Sequence, residues 1–172
     1  MEHLIIEGFM GSGKGAVAKL LGKGLNVPVV DVDKLVAERL NMTSADIYDR
    51  FGEIFYRAEE TIVLMELAGD KKQSIIVLGS GVAMMPQNQE ILKKLGTVVY
   101  IELSESAILK KMRGSRKHDW IKSEDWDERV LKLYKEREPA YRKTADIVIH
   151  ADGKKVDEVA SAILAAVRKR ED

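Results

Sequence analysis

The 172-residue sequence contains no cysteine, which removes disulfides and thiolate zinc sites and favours the cytoplasm. Neither sign of charge is in excess, since 28 Lys and Arg balance 28 Asp and Glu. That balance supplies no global attraction to nucleic acid or to a membrane, so any anion site must be built locally. No apolar run approaches the length of a membrane span, and the first residues lack a basic segment followed by an apolar stretch. The three histidines, His3, His118 and His150, have no metal-ligand spacing, so no zinc site is expected. No repeat, heptad or low-complexity segment is evident. What is present, 45% hydrophobic and 33% charged residues, is the composition of one globular domain over 1–172, long enough to bury a proper core.

The most informative stretch is LIIEGFMGSGKGAVA, from Leu4 to Ala18. It reads as a short buried strand over 4–6, a tight glycine-rich loop from Gly8 to Gly13, and Lys14 opening an amphipathic helix. Gly8 and Gly13-Lys14 have the spacing of a phosphate-binding loop. Glycines let backbone N–H groups converge, the helix N-terminus adds partial positive charge, and a lysine reaches the β/γ-phosphates. A plain strand–turn–helix connection is the competing reading. The strict pattern fails at one place, because Gly15 stands where a Ser or Thr hydroxyl would meet Mg²⁺, and Ala16 offers no replacement.

Farther along, a second buried strand over 28–33 delivers Asp31 and Asp33 at its C-terminal end. In an open α/β sheet, ligands bind beyond those ends, where the phosphate loop also lies. Asp33 could instead be the N-cap of a helix over 34–40. Thr43 or Ser44 caps a short helix over 45–51 that Gly52 stops, and a longer helix over 53–68 follows, with Ile54, Ile62, Leu64, Met65 and Leu67 among its apolar positions. Arg57 and Glu60 share a face near its start, which a surface ion pair would equally explain. A third apolar strand over 74–78 ends in Gly79-Ser80-Gly81. Glycines there either serve the turn or let a ligand approach the backbone. Helices over 87–95, 105–113, 126–143 and 155–170 alternate with strands over 97–103 and 146–150. The last helix directs Val156, Val159, Ile163 and Val167 inward. This alternation implies a parallel sheet covered by helices on both faces. Between them, 114–125 is polar and aperiodic, containing Arg116, Lys117 and His118. It is expected to be a mobile loop, either a solvated surface segment or the lid that a phosphoryl-transfer enzyme needs.

Taken together these motifs resemble the shikimate kinase family, small P-loop kinases with a five-stranded parallel sheet. GFMGSGKG resembles its phosphate loop, Asp31-Val32-Asp33 its paired aspartates, and Gly52-Glu53 with Tyr56, Arg57 and Glu60 its substrate signature. Gly79-Ser80-Gly81 resembles a variant of its triple-glycine turn, and Arg137-x-Pro139-x-Tyr141 followed by Ala145-Asp146 its C-terminal arginine motif. The resemblance implies a single three-layer P-loop kinase domain with substrate-binding helices at about 33–62 and a lid at about 114–125. It implies ATP-dependent phosphorylation of a shikimate hydroxyl, in aromatic amino-acid biosynthesis, by a cytoplasmic monomer that engages neither nucleic acid nor membrane. ATP would be held by Gly11, Ser12, Gly13, Lys14, Gly15 and Ala16, with Lys110 near the adenine and Arg116 swinging over the transferring phosphate. Asp31 would position Mg²⁺ through water. Asp33 would bind ring hydroxyls beside the one that attacks, Arg57 and Arg137 would grip the substrate carboxylate, and the backbone of Gly79, Ser80 and Gly81 would pack against the substrate. Lys14, Asp33 and Arg116 are thereby expected to be the catalytic residues.

The sequence departs from the family at Gly15 and Ala16, at Ser80, and in the lid, where Arg116-Lys117-His118 replaces Arg-Pro followed by leucines. Three alternatives follow: another small-molecule kinase on this fold, such as a gluconate or nucleoside monophosphate kinase; a catalytically weak ATP- or metabolite-binding protein; and a structural module with an empty phosphate loop.

Overall fold

The computed structural model describes residues 2–114 and 125–172. Its centre is a five-stranded sheet in the order β2-β3-β1-β4-β5, formed by β1 (His3–Glu7), β2 (Val29–Asp31), β3 (Ile75–Val77), β4 (Gly96–Glu102) and β5 (Ile147–His150). Every pairing is parallel, with Leu4 opposite Ile75 on one side of β1 and Thr97 on the other. Such strands need helical crossovers, and burial on both faces explains why LII of β1 and IIV of β3 read as continuous apolar runs instead of alternating ones.

Alternation along β1 divides the core. Leu4 and Ile6 belong to a cluster with Val17 and Leu21 of α1 (Lys14–Leu25), Ile108 of α5 (Glu105–Arg113), Val130 of α6 (Trp126–Thr144) and Ile163 of α7 (Val156–Glu171). Ile5 faces the other cluster, with Val36 of α2 (Val32–Leu40), Leu64 of α3 (Ser44–Ala68) and Leu92 of α4 (Pro86–Leu95). Ile5 and Ile6 are fully enclosed, and each buried side chain of this size contributes about 2–3 kcal/mol. Helices thus cover both faces, the three-layer arrangement expected from the β/α alternation.

Some local expectations hold and others shift. β2 ends at Asp31 and the helix begins at Val32, so Asp33 lies in the first turn of α2, not at a strand end. The capping role belongs to Asp31, whose Oδ1 accepts from the Lys34 amide at 3.3 Å. Thr43 caps α3 through a 3.2 Å bond from Asp46 N–H. Gly52, at φ 81° and ψ 176°, breaks α3 into two segments on either side of it. A short 3₁₀ turn at Val82–Met84, absent from the sequence reading, precedes α4. Leu20, Ile54, Met65 and Val156 are exposed, whereas Leu64, Leu67, Val159 and Ile163 are buried. The expected lid, including Arg116, lies outside the described residues.

Candidate active site

The phosphate side of the cleft is built from backbone. β1 leads directly into the loop, where Gly11 and Gly13 adopt φ of 76° and 80°, a left-handed conformation that side chains resist. Gly13 sits at the N-terminus of α1 without a side-chain cap, leaving the first helical amides for a ligand. Ser12 is buried with its hydroxyl turned inward, 2.9 Å from where a Cβ on Gly8 would lie. The loop therefore offers an anion its peptide N–H groups. Gly15 and Ala16 are exposed on the first turn of α1, and a Cβ at Gly15 would meet nothing within 4 Å. Burial lowers the pKa of Lys14, while Asp33 and then Asp31 oppose that shift. The ammonium thus sits in the field of both aspartates. Lys110 is exposed on α5, the helix whose Met112 packs against Gly11, with its sulfur 3.4 Å from a Cβ placed there.

The opposite side is built from side chains. Tyr56 Oη donates to Asp33 Oδ1 at 2.7 Å and stacks on Tyr48 with ring centroids 4.5 Å apart. Burial, reinforced by the Asp33 charge, holds the Tyr56 phenol protonated well above its usual range, so it remains a donor to that carboxylate. Arg57 Nη1 donates to Glu60 Oε1. The pair is not the surface ion pair that local sequence also allowed: the side chains are only 9% and 0% exposed. Burial pushes the Glu60 carboxyl up to about 7, against the opposing pull of Arg57.

The 79–81 turn joins these groups. A Cβ on Gly79 would stand 2.8 Å from Asp33 Oδ1 and 3.1 Å from Glu60 Oε2, and one on Gly81 would stand 2.1 Å from Arg57 Nη2. Only glycine lets the chain pass so near both a carboxylate and a guanidinium. Between them, Ser80 Oγ accepts from Arg137 Nη1 at 2.5 Å, and Ser80 O accepts from Tyr141 Oη, both from α6. The following 3₁₀ turn is anchored by Asn88 Nδ2 donating to Val82 O at 2.9 Å and Gln89 Nε2 donating to Ala83 O at 2.8 Å. Thr61 Oγ1 in turn donates to Asn88 Oδ1 at 2.7 Å. The turn is thus fixed from α4 and α3, so the groups resting on it have little freedom.

The structure accordingly gathers Asp33, Arg57 and Arg137 around residues 79–81, with Lys14 and Asp31 beside them. Sequence reasoning assigned no role to Glu7. It is 1% exposed, its Oε1 accepts from Thr144 Oγ1 at 2.7 Å, and burial pushes its carboxyl up to about 8. Lys14 acts against that shift. An acid ending an apolar strand immediately before the glycine loop was the available signal.

A phosphate loop, two aspartates at the β2–α2 junction and an arginine-lined turn, all at the C-terminal edge of one parallel sheet, define a P-loop phosphotransferase of the small-molecule kinase class. The shikimate kinase family model matches residues 10–168. The chain is 33% identical over 170 residues to shikimate kinase of Geobacter sulfurreducens, covering 99% of this chain and 93% of that one. It also superposes on Acinetobacter baumannii shikimate kinase in complex with shikimate with a TM-score of 0.88 at 27% identity, covering 99% and 94% of the two chains. For the Aquifex aeolicus shikimate kinase the TM-score is 0.80 at 29% identity, with 98% of each chain covered. The chain belongs to the shikimate kinase family.

Proposed function

We propose that this chain transfers the γ-phosphoryl group of ATP to a hydroxyl of shikimate. The observation that carries this reading is the convergence of Asp33, Arg57 and Arg137 on the 79–81 turn. Two guanidiniums suit a carboxylate, because each presents a planar fork of donors. A carboxylate beside them suits a polyol hydroxyl. In this reading 1–172 act as one kinase domain, with substrate-binding helices at about 33–62 and a lid at about 114–125. The protein works as a monomer in the cytoplasm; among the described residues, no helix is long and apolar enough to cross a membrane.

Substrate binds with its carboxylate on Arg57 and Arg137 and its ring hydroxyls on Asp33, against the backbone of Gly79, Ser80 and Gly81. ATP lies along Gly11, Ser12, Gly13, Lys14, Gly15 and Ala16, with Lys110 on the adenine side. The attacking hydroxyl oxygen bonds to the γ-phosphorus as the bond to the bridging oxygen of ADP breaks, and its proton passes late to Asp33. Tyr56, donating to Asp33, fixes the carboxylate for that task. Lys14 and Arg116 neutralise charge on the equatorial oxygens, so the protein's contribution is positioning and electrostatics.

Mg²⁺ fits this site through water. Among the described residues no group of three or more His, Cys, Asp or Glu could hold a metal, but Mg²⁺ keeps several waters and takes one or two carboxylates plus phosphates. Asp31 is such a carboxylate. The chemistry Mg²⁺ supplies there is neutralisation of the β- and γ-phosphate oxygens.

The test is ADP release measured with Mg·ATP and shikimate, set against quinate, gluconate and nucleoside monophosphates. Turnover on shikimate that Lys14→Ala and Asp33→Asn both remove is the expected result; turnover on another acceptor alone would replace the substrate. A second reading, a binding protein with little turnover, rests on the missing hydroxyls at Gly15 and Ala16. ATP and shikimate binding without ADP release would establish it.

A further inference from the structure

The two arginines of the cleft are anchored by different chemistry. Arg57 is held by carboxylates, Glu60 in the buried pair and Glu53 at 3.5 Å, so part of its charge is compensated within the protein. Arg137 is paired with no carboxylate in any ion pair among the described residues. Its hydrogen bond runs to the Ser80 hydroxyl, a neutral acceptor, at 2.5 Å. A neutral partner fixes the direction of a guanidinium while leaving its charge available to an incoming anion. Ser80 is itself well placed to act as a fixed post. Its carbonyl is bonded by Tyr141, and the turn is secured from α4 through Asn88 and Gln89. It also stands between Gly79, against Asp33, and Gly81, against Arg57. The same hydrogen bond therefore sets Arg137 on the peptide adjoining the one that supports Arg57.

We infer that the Ser80 hydroxyl is a positioning group for substrate recognition, holding Arg137 in register with Arg57 to receive a carboxylate. This rests on the reading of the site as one for shikimate. Ser80 does no chemistry on the substrate; it acts through Arg137.

The test is steady-state kinetics of the full chain with Ser80→Ala, Ser80→Gly and Ser80→Thr, varying shikimate and ATP separately. Loss of one charge-assisted hydrogen bond to the anchor is expected to raise KM for shikimate about tenfold. kcat and KM for ATP should stay within about twofold of the unaltered chain, a split that general damage to the fold does not produce. Ser80→Thr, which keeps the hydroxyl, should return KM toward its starting value. In an Arg137→Gln background, Ser80→Ala should add no further loss, because the two residues act as one unit. Unchanged KM in both removals would overturn the inference, as would a fall in kcat alone or additive losses in the Arg137→Gln background. A lowered KM would also overturn it, showing that the hydroxyl competes with the carboxylate. These results would leave the kinase reading standing. If the unaltered chain neither binds nor turns over shikimate, the reading of the site falls and this inference falls with it.

Discussion

The two sides of the cleft are made by opposite strategies. The phosphate side depends on backbone: glycines in left-handed conformation, uncapped helical amides and one lysine. Its side-chain chemistry is reduced further by Gly15 and Ala16. The other side depends on side chains that immobilise one another, Tyr56 on Asp33, Glu60 on Arg57, Ser80 on Arg137. Backbone presents donors to any phosphate and discriminates little between nucleotides. A set of oriented carboxylates and guanidiniums is expected to be more selective, because a ligand that leaves any of them unpaired incurs its desolvation. Tolerance to substitution should therefore differ sharply between the two sides.

The largest expected effect is on the phosphate side, where Lys14 is the one side chain the loop contributes. Lys14→Ala should lower kcat by about 10³ or more, the scale for losing a preorganised charge on the transferring group. Folding should be little affected; a variant retaining a tenth of the activity would show that Lys14 is not the phosphate clamp. On the substrate side the same kind of removal should injure the fold too. Glu60→Ala removes the buried partner of Arg57 and leaves only the exposed Glu53, and should cost about 3 kcal/mol of stability as well as raising KM for shikimate. Thermal unfolding measures it, and an unmoved midpoint would mean that the pair is already relieved by solvent.

A smaller, pH-dependent effect sharpens the contrast at the base of the loop. The Glu7 carboxyl is raised from the ordinary 4.5 to about 8 by burial, so the folded state holds a proton that the unfolded chain releases. Its stabilising contribution is complete below pH 4.5 and is lost as pH rises toward 8, at up to about 1.4 kcal/mol per pH unit. Glu7→Gln keeps an acceptor for Thr144 and removes this slope. Its unfolding midpoint should gain on the unaltered chain from pH 5 to pH 8; parallel curves would place the carboxylate's charge elsewhere. The smallest effect is expected from returning a hydroxyl to the phosphate side. Space around Gly15 is open, so Gly15→Ser should fit and lower the Mg²⁺ needed for half-maximal rate by about threefold. An unchanged metal requirement would show that the loop hydroxyl is dispensable here.

Elements and loop motifs were legible in the sequence because they are written in local patterns: apolar runs for β1 and β3, glycine spacing for the phosphate loop, and Thr43 as one of two candidate caps. What stayed hidden was pairing across the chain. Sequence placed Asp33 near the site, but not Tyr56 as its donor, nor Asp31 as the cap of α2. It placed Arg57 and Glu60 on one face without saying that tertiary contacts would bury them. Ser80 was read as an interruption between glycines, and only the approach of α6 reveals its bond to Arg137. The sequence left Gly79 and Gly81 as either turn glycines or places where a ligand nears the backbone; in the structure the groups that crowd them are the protein's own Asp33 and Arg57.

The central position of β1 also governs how the molecule comes into being. Leu4 has its neighbours at Ile75 and Thr97, and the sheet has no hairpin through which β1 could fold locally. Loops of that length must close before either neighbour is in reach, which makes assembly slow and leaves an apolar strand exposed meanwhile. A ribosome-bound chain that has emerged only through α3 has made the whole phosphate loop and has neither strand that would hold it. The glycine loop is complete early in the chain, but the two strands that flank β1 and position it come only at residues 75–77 and 96–102.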